Sequence, residues 1–371
     1  MKLFATKTKE KWYSTTQIDN TNAVYRMIIG QRSNGKTYAC IHNALECYLH
    51  NGIASAYLRR YATDLNRSEL FKLISPHEEY LKKYTKNEYN TFIYKSHCFH
   101  LAFIDDKGEL KYTDENVFLY CLSLNNWERQ KGQDRGKIAY IIYDEFLTRS
   151  GYLDDEFSKF CNVLSTLIRT RKGSVIYMIG NTVNEYSIYW DEMGITNIRK
   201  IKKGDIYLYT YNNDKLTVAL EYCHESEQSK NVEYYYAFDN AHLDMIKKGD
   251  WETDSYPHLN FKLDKTTLQY RFLLCFSGQW VCGDIHQQYN RCFIFYHDCD
   301  INKQKIDDST IIYINRQAES MLEFNSFCVS RKLKVTSIIS DLMNRNMTYY
   351  SSNRIGEVVR NFILNPYKVV K

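Results

Sequence analysis

A segment near the amino terminus places glycine, lysine and threonine at the spacing of a phosphate-binding loop. Residues 30–37 fit the pattern G-x-x-x-x-G-K-[ST], with an apolar run at 27–29 before them and helical periodicity over 41–49 after them. Glycines at these positions let successive backbone N–H groups point at a phosphate, and the next helix adds its positive amino end. The lysine can reach the β- and γ-phosphates, and the threonine hydroxyl can bind Mg²⁺. We therefore predict nucleotide binding by these residues: Gly30, Gln31, Arg32, Ser33, Asn34, Gly35, Lys36, Thr37 and Tyr38.

Two adjacent carboxylates, Asp144 and Glu145, follow the apolar run 138–143. At the carboxyl end of a buried strand, the first can bind Mg²⁺ together with Thr37, and the second can polarise an attacking water. An exposed strand end, common in α/β proteins, is the alternative when this pair is taken alone. Together with the upstream loop, the pair predicts ATP hydrolysis with Mg²⁺. The extra glutamate favours an ATPase over a kinase that transfers phosphate to a metabolite.

Polar residues also mark the next helix and strand. Asn181 directly follows the end of the strand predicted over 174–179, after Gly180. An amide there can hydrogen-bond the γ-phosphate or the water, although an ordinary polar residue is equally compatible with that position. Arg169 and Arg171 end a helix predicted over 157–168. They can serve as arginine fingers for a neighbouring subunit, but the spacing alone favours cations that stabilise a helix carboxyl end.

The elements that position these residues follow a regular order. Strands alternate with helices up to about residue 205, which predicts a mostly parallel sheet. Three strands in quick succession over 268–296, a further strand and two helices predict a second, small α/β unit. We therefore predict an ATPase domain, a linker or lid region and a carboxyl-terminal domain over 1–204, 205–255 and 256–371.

Composition narrows the class of protein. The 371 residues carry a net charge of +5, and the 11 cysteines, an odd number without a C-x-x-C pair, favour free thiols in a reducing compartment over a disulfide scaffold. The cysteines and histidines between 282 and 299 match no zinc spacing. The sequence has no signal peptide and no apolar run of membrane length, which predicts a soluble intracellular protein without a membrane partner.

In their order and spacing, these motifs resemble the DNA-packaging ATPases of phi29-like tailed phages, which are related to large terminases. The resemblance covers roughly residues 20 to 190. The glycine-rich loop and the acidic pair are generic, whereas three pieces are more discriminating: Tyr-Leu-Arg-Arg-Tyr at 57–61, Asp-Glu-Phe at 144–146 and Arg-Thr-Arg at 169–171.

The resemblance implies a P-loop ATPase domain of the additional-strand, conserved-glutamate (ASCE) type, followed by an RNase H-like α/β domain. It implies a homo-oligomeric ring, expected to be a pentamer, that docks on the portal of a procapsid in the host cytoplasm and moves double-stranded DNA. It leaves open whether a structural RNA takes part. It also implies that Arg169 acts on the ATP of a neighbouring subunit and that Lys131 is a second cation acting in this way.

The carboxyl-terminal domain and the DNA contacts are separate predictions. An RNase H-like nuclease needs an acid on its first strand for its metal ions, and the segment 268–276 has none, although Asp284 follows on the second strand. We therefore predict a vestigial nuclease domain; a large terminase with an active nuclease and, less favoured, a small-molecule kinase or switch are the alternatives. The densest cationic run predicts DNA binding, unless it is simply a solvated surface: Arg199, Lys200, Lys202 and Lys203.

Overall fold

The computed structural model describes residues 2–4, 12–126, 135–196, 198–213, 215–224, 251, 253–304, 311–314 and 333–365. The chain divides into two compact units, Met1–Glu252 and Thr253–Lys371. Lys131 lies outside the described residues. Among the described residues, no helix combines the length and the apolar content that a membrane span requires.

A ten-stranded sheet forms the centre of the first unit. Its strand order is β1-β9-β10-β2-β8-β7-β3-β6-β5-β4, and every pairing from β10 to β6 is parallel. The strands are β1 (Lys2–Phe4), β2 (Tyr25–Gly30), β3 (Ser55–Arg59), β4 (Thr91–Lys95), β5 (Cys98–Ile104), β6 (Leu110–Ser123), β7 (Tyr140–Asp144), β8 (Val175–Asn181), β9 (Asp205–Tyr211) and β10 (Leu216–Tyr222).

Helices cover both faces of this sheet. They are α1 (Thr16–Asp19), α2 (Lys36–Asn51), α3 (Arg67–Ile74), α4 (Glu78–Tyr84), α5 (Glu156–Ile168) and α6 (Ile188–Glu192). Because successive side chains of a strand point to opposite faces, Ile141 packs in the apolar cluster that contains α5, whereas Ile142 packs in the cluster that contains α2. This arrangement confirms the predicted mixed α/β fold with a mostly parallel sheet.

Residues 205–222 lie in the predicted linker region, and in the structure they form β9 and β10 of the first sheet. Strand β10 pairs in parallel with β2, the strand that leads into the glycine-rich loop. The physical reason is that Val218 and Leu220 are buried on the same face as the core residue Met27. Burial of the apolar side chains of β10 stabilises its pairing with β2. Residues 205–222 therefore belong to the first sheet and not to a linker, despite the polar turn at 212–213.

The second unit contains a five-stranded sheet with the order β14-β11-β12-β13-β15. Its strands are β11 (Leu268–Phe276), β12 (Gln279–Gln288), β13 (Arg291–Asp298), β14 (Ile311–Ile314) and β15 (Thr348–Tyr350), and its helices are α7 (Leu333–Asn344) and α8 (Asn353–Leu364). Strands β11 to β13 form an antiparallel meander, and each edge strand pairs in parallel with its neighbour.

Candidate nucleotide site

The glycine-rich loop connects the end of β2 to the first turn of α2. Gly35 adopts a φ of 95°, a left-handed conformation that glycine tolerates best, and it caps the amino end of α2. The residues before α1 hold this loop from outside. The Trp12 ring packs against Gly35, and the backbone N–H of Tyr13 donates to the Asn34 carbonyl at 3.0 Å. The loop is therefore fixed at both ends and along one side.

Lys36 is almost completely buried and donates into the loop that precedes it. Its Nζ lies 2.5 Å from the Gln31 carbonyl oxygen, 3.3 Å from Asn34 Oδ1 and 3.2 Å from Asn181 Oδ1. Burial lowers the pKa of Lys36, and the opposing effects of nearby acidic groups, including Asp144, do not cancel it. The strand order explains the Asn181 contact, because β8 pairs directly with β2 and both strands end at the same edge.

Asp144 ends β7 beside the loop and accepts two hydroxyl hydrogen bonds. The Thr37 hydroxyl lies 3.2 Å from Asp144 Oδ2, and the Tyr57 hydroxyl donates to the same oxygen at 2.8 Å. Burial raises the pKa of Tyr57 well above its ordinary value, so the phenol stays a neutral donor. A carboxylate and a hydroxyl facing each other provide the oxygen ligands that Mg²⁺ prefers. These residues therefore fit the predicted metal pair.

Glu145 follows with a left-handed backbone, at a φ of 59°. Its side chain is about half exposed, at 54%, and pairs with Arg59, whose Nη2 lies 2.6 Å from Glu145 Oε2. The same guanidinium lies 3.7 Å from Asp144. Arg59 therefore compensates both carboxylates from the end of β3, the strand next to β7.

These groups line one cleft of about 730 Å³. It brings together loop residues 33–37 and Tyr38 with Asp144, Glu145 and Asn181, as the sequence predicted for one site. Other side chains that the sequence reasoning did not assign also line it, and they include Trp12, Tyr57 and Arg59. The sequence feature that could have indicated Tyr57 and Arg59 is the Tyr-Leu-Arg-Arg-Tyr motif at 57–61. Its place beside the acidic pair, however, depends on β3 pairing with β7.

Arg169 and Arg171, two of the cations predicted to act on a neighbour, do not line this cleft. Helix α5 runs from the carboxyl end of β7 to the amino end of β8, so Arg169, which directly follows α5, lies at the opposite edge of the sheet from the loop. Arg171 lies beside it and donates to the Gly136 carbonyl at 2.6 Å. Burial lowers the pKa of Arg135, and the positive charge of Arg169 lowers it further. A cationic edge thus forms from two segments of the chain.

The cationic run at 199–203 lies at the loop edge of the sheet. The Gly204 N–H donates to the Tyr222 carbonyl at the end of β10, the strand next to β2. Lys200 and Lys202 are exposed there, and Lys203 is half-buried. Their position is compatible with contact to a polyanion, but none of them lines the cleft.

The second unit holds an acidic residue in a different setting. Asp284 on β12 is buried, and Arg271 of the first strand, β11, binds it with two hydrogen bonds of 2.6 Å each. His297 of β13 lies 3.1 Å from Asp284 Oδ2. Burial alone would raise the pKa of Asp284, but the hydrogen bonds from Arg271 and His297 outweigh it and lower the pKa.

Fold and cleft together define a class: mixed α/β proteins in which a lysine-bearing loop and two strand-end carboxylates meet at the edge of a mostly parallel sheet. Within that class the chain belongs to the podovirus DNA encapsidation protein family (Gp16), whose family model matches residues 7–230.

Individual relatives are distant. The DNA packaging protein of Bacillus phage B103 is 24% identical over 173 residues, which cover 45% of this chain and 48% of that protein. The DNA packaging protein of Bacillus phage phi29 is 22% identical over 185 residues, covering 49% of this chain and 50% of that protein. The chain thus spans about half the length of the curated relatives it matches.

Two solved structures extend the comparison. The Phi-28 gp11 DNA packaging motor matches 98% of this chain and 100% of its own, with a TM-score of 0.51 at 16% identity, and this likeness is one of fold. The N-terminal domain of the DNA packaging ATPase from bacteriophage phi29 matches 58% of this chain and 97% of its own, with a TM-score of 0.44 at 19% identity.

Proposed function

We propose that this protein is the ATPase of a phage genome-packaging motor, which hydrolyses ATP with Mg²⁺ in a homo-oligomeric ring and moves double-stranded DNA into a procapsid. Family membership supports the packaging role. The observation that carries the ATPase assignment is the cleft in which Lys36, Asp144 and Glu145 meet at the carboxyl edge of a parallel sheet.

Each residue of the cleft has a role in this proposal. Backbone N–H groups of 30–37, followed by the amino end of α2, bind the phosphates, as expected of a P-loop of the ASCE type. Lys36 compensates charge on the β- and γ-phosphates, for which its Nζ must exchange loop carbonyl contacts for phosphate oxygens. Thr37 and Asp144 hold Mg²⁺, which neutralises phosphate charge when bound.

Glu145 polarises the attacking water, and Asn181 orients the water or the γ-phosphate. The ion pair with Arg59 occupies the Glu145 carboxylate, so Glu145 must leave Arg59 before it can accept a proton. Asn181 already hydrogen-bonds Lys36, which places its amide next to the group that binds the terminal phosphate.

Arg169 and Lys131 act on the ATP of the neighbouring subunit in this proposal. The location of Arg169 at the edge opposite its own loop supports an action in trans, because it cannot line its own cleft there. Hydrolysis then requires assembly, and a pentameric ring docked on the portal, in the host cytoplasm, satisfies that requirement. Whether a structural RNA joins ring and portal stays open.

The second unit is, in this proposal, an RNase H-like domain without nuclease activity. Arg271 occupies the first strand, where the chemistry needs an acid, and it neutralises Asp284 on the next strand. Contacts to the DNA backbone are assigned to the run Arg199, Lys200, Lys202 and Lys203, whose positive charges suit contacts to phosphates.

ATP turnover by the purified protein tests the proposal, measured with and without procapsid and linear duplex DNA. Stimulation by both, with protection of the DNA from added nuclease, is expected. Glu145→Gln should retain ATP binding and lose turnover. An ATP turnover that does not change when DNA and procapsid are added would favour a small-molecule kinase or switch. Cleavage of the DNA would favour an active nuclease.

The trans assignment has its own test in mixed rings. Arg169→Ala alone should bind ATP without hydrolysing it. Rings that combine Arg169→Ala subunits with Glu145→Gln subunits should recover part of the turnover, because an intact Arg169 then faces an intact Glu145 at some interfaces. Normal hydrolysis by Arg169→Ala alone would contradict the role in trans.

A further inference from the structure

A buried ion pair lies directly behind the candidate water-activating residue. Arg60, the residue after β3, and Glu156, the first residue of α5, are 6% and 0% exposed, and Arg60 Nε lies 2.8 Å from Glu156 Oε2. Buried ion pairs of this kind contribute little net stability relative to apolar residues of the same size, because desolvation offsets the attraction. The remaining contacts of Arg60 indicate a role other than stability.

The other two nitrogens of Arg60 hold the backbone at Glu145. Nη1 donates to the Glu145 carbonyl at 3.1 Å, and Nη2 donates to the Phe146 carbonyl at 2.8 Å. Glu145 needs this support because its φ of 59° lies in a region that costs a residue with a side chain about 1 kcal/mol or more. The planar guanidinium holds two successive carbonyls and the Glu156 carboxylate with three separate nitrogens, whereas a lysine has a single nitrogen for all three.

Glu156 in turn is held from three directions. Its carboxylate accepts hydrogen bonds from the Tyr143 hydroxyl at 2.7 Å, the Tyr189 hydroxyl at 3.0 Å and the Leu153 N–H at 2.9 Å, in addition to Arg60. Burial raises the pKa of both tyrosines well above the ordinary value, so both remain neutral donors. The carboxylate that orients Arg60 is therefore itself fixed in place.

Two consecutive arginines thus divide the contacts to Glu145. Arg59 binds its carboxylate, which is half exposed, whereas Arg60 binds its backbone carbonyl in a partly buried hydrogen bond. The first contact can exchange while the second stays fixed. The side chain of Glu145 can then move between Arg59 and the reacting water without a change in the backbone that aims it.

We propose that Arg60 and Glu156 are positioning residues for the ATPase reaction, which hold the backbone of Glu145 in its left-handed conformation so that its carboxylate can be aimed at the attacking water. The inference rests on the proposed function, since the role of Glu145 is assigned there. It adds two residues to the reaction that touch neither nucleotide nor metal.

The test compares Arg60→Lys with Tyr189→Phe. Lysine keeps the buried charge beside Glu156 but has one nitrogen where arginine uses three, so it cannot reproduce the paired carbonyl contacts. Tyr189→Phe removes a donor to the same carboxylate and leaves every Arg60 contact in place. We expect Arg60→Lys to lower kcat by about 10- to 100-fold through misplacement of Glu145. Its KM and its affinity for a non-hydrolysable ATP analogue should stay within about twofold of wild type, because no phosphate contact is lost.

Tyr189→Phe is the matched control for a purely structural role. It should lower the melting temperature and keep kcat within about twofold of wild type, because Tyr143, the Leu153 N–H and Arg60 still hold the Glu156 carboxylate. The positioning role would be refuted if both variants lost kcat in proportion to their loss of melting temperature. It would also be refuted if Arg60→Lys kept the wild-type kcat. If the wild-type ring itself showed no ATP turnover, the proposed function would fail instead, and the two failures are thus distinguishable.

A second variant covers the case in which Arg60→Lys does not fold. The double substitution Arg60→Gln and Glu156→Gln leaves no buried charge unpaired and keeps hydrogen-bonding groups on both sides. The shorter glutamine loses the paired contacts to the Glu145 and Phe146 carbonyls. A folded double variant with analogue binding intact and kcat reduced supports the inference, and one with wild-type kcat overturns it.

Discussion

Two carboxylates in this protein meet arginines in opposite ways. In the first unit, Asp144 accepts hydrogen bonds from two hydroxyls, and the Arg59 guanidinium stays 3.7 Å away, beside a large cleft. In the second unit, Asp284 is bound by Arg271 through both oxygens and by His297 through one of them. Both acids sit on strands of a sheet and both are mostly buried.

The difference shows that a buried acid on a strand of a sheet is not by itself a metal site. A divalent cation has to replace whatever already compensates the carboxylate. At Asp144 the hydrogen-bond donors are neutral, namely two hydroxyls and the Glu145 N–H, and one of the hydroxyls, that of Thr37, is itself a suitable ligand. At Asp284 the compensation is a guanidinium with bidentate geometry, which a cation would have to displace against charge repulsion. We describe the first arrangement as open and the second as closed.

Replacing Asp144 with asparagine should lower ATP turnover, whereas the same replacement at Asp284 should lower stability. The effect on turnover should be the larger of the two. Asp144→Asn weakens the charge that holds Mg²⁺, so ATP turnover should fall by about 100-fold or more. Thermal stability should change little, because the amide keeps an oxygen that can accept from Thr37 and Tyr57. Turnover as a function of Mg²⁺ concentration measures this, and full recovery at high Mg²⁺ would indicate a binding defect alone.

Asp284→Asn should leave ATP turnover unchanged and destabilise the second unit. The neutral amide loses the charge-assisted bonds from Arg271, which we expect to cost about 2 kcal/mol at neutral pH. Because the pKa of Asp284 is lowered in the folded state, this contribution is present above the ordinary value of 3.8 and disappears as the pH falls below it. Urea denaturation at several pH values measures the loss.

Asp300→Asn is the matched control, because Asp300 pairs with Lys303 at the exposed surface of the same unit. We expect no measurable change of the unfolding free energy there, since solvent screens an exposed ion pair. Equal losses in the two variants would contradict the closed arrangement of Asp284.

Glu221 offers a third setting, in which the carboxylate is buried on β10 and accepts a hydrogen bond from the Tyr13 hydroxyl at 2.7 Å. Burial raises its pKa to about 7, an effect that the Tyr13 hydrogen bond partly offsets. A raised pKa means that the folded state binds more protons between the ordinary value of 4.5 and about 7, so stability falls as the pH rises through this window.

Glu221→Gln should remove that dependence. The variant should match wild type near pH 5 and be more stable near pH 8, by at most about 3 kcal/mol. Melting temperatures of wild type and variant across this range measure the effect. A variant that loses stability equally at both pH values would show that the carboxylate is charged in the folded protein.

How far the sequence predicts this site depends on which contacts are local. The loop and the pair Asp144-Glu145 are contiguous motifs, and Asn181 follows from the next strand in the alternating pattern, so their meeting at one edge could be predicted. The contacts of Tyr57 and Arg59 depend on β3 pairing with β7, and strand order cannot be read from periodicity. Glu156 looks, in sequence, like any acid in the first turn of a helix.

The same limit applies to residues 205–222. The sequence predicts a linker or lid region here, and nothing local to these residues shows that β10 lies beside β2 in the sheet. In the second unit, the sequence shows that the first strand lacks an acid. Only the register of β11 and β12 shows that Arg271 stands directly opposite Asp284 and neutralises it.

Helix α5 has a mechanical consequence, because it begins at the buried Glu156 and Arg169 directly follows its last residue. Its 13 residues make it a rod about 20 Å long, held at its first residue by the Arg60–Glu156 ion pair and along one face by buried side chains such as Phe160 and Leu167. A tilt of about 5° about its first residue would move the far end by about 1.7 Å. Hydrogen bonds fail over smaller displacements, so in the proposed role of Arg169 in trans, the packing of α5 sets how accurately its guanidinium can be placed.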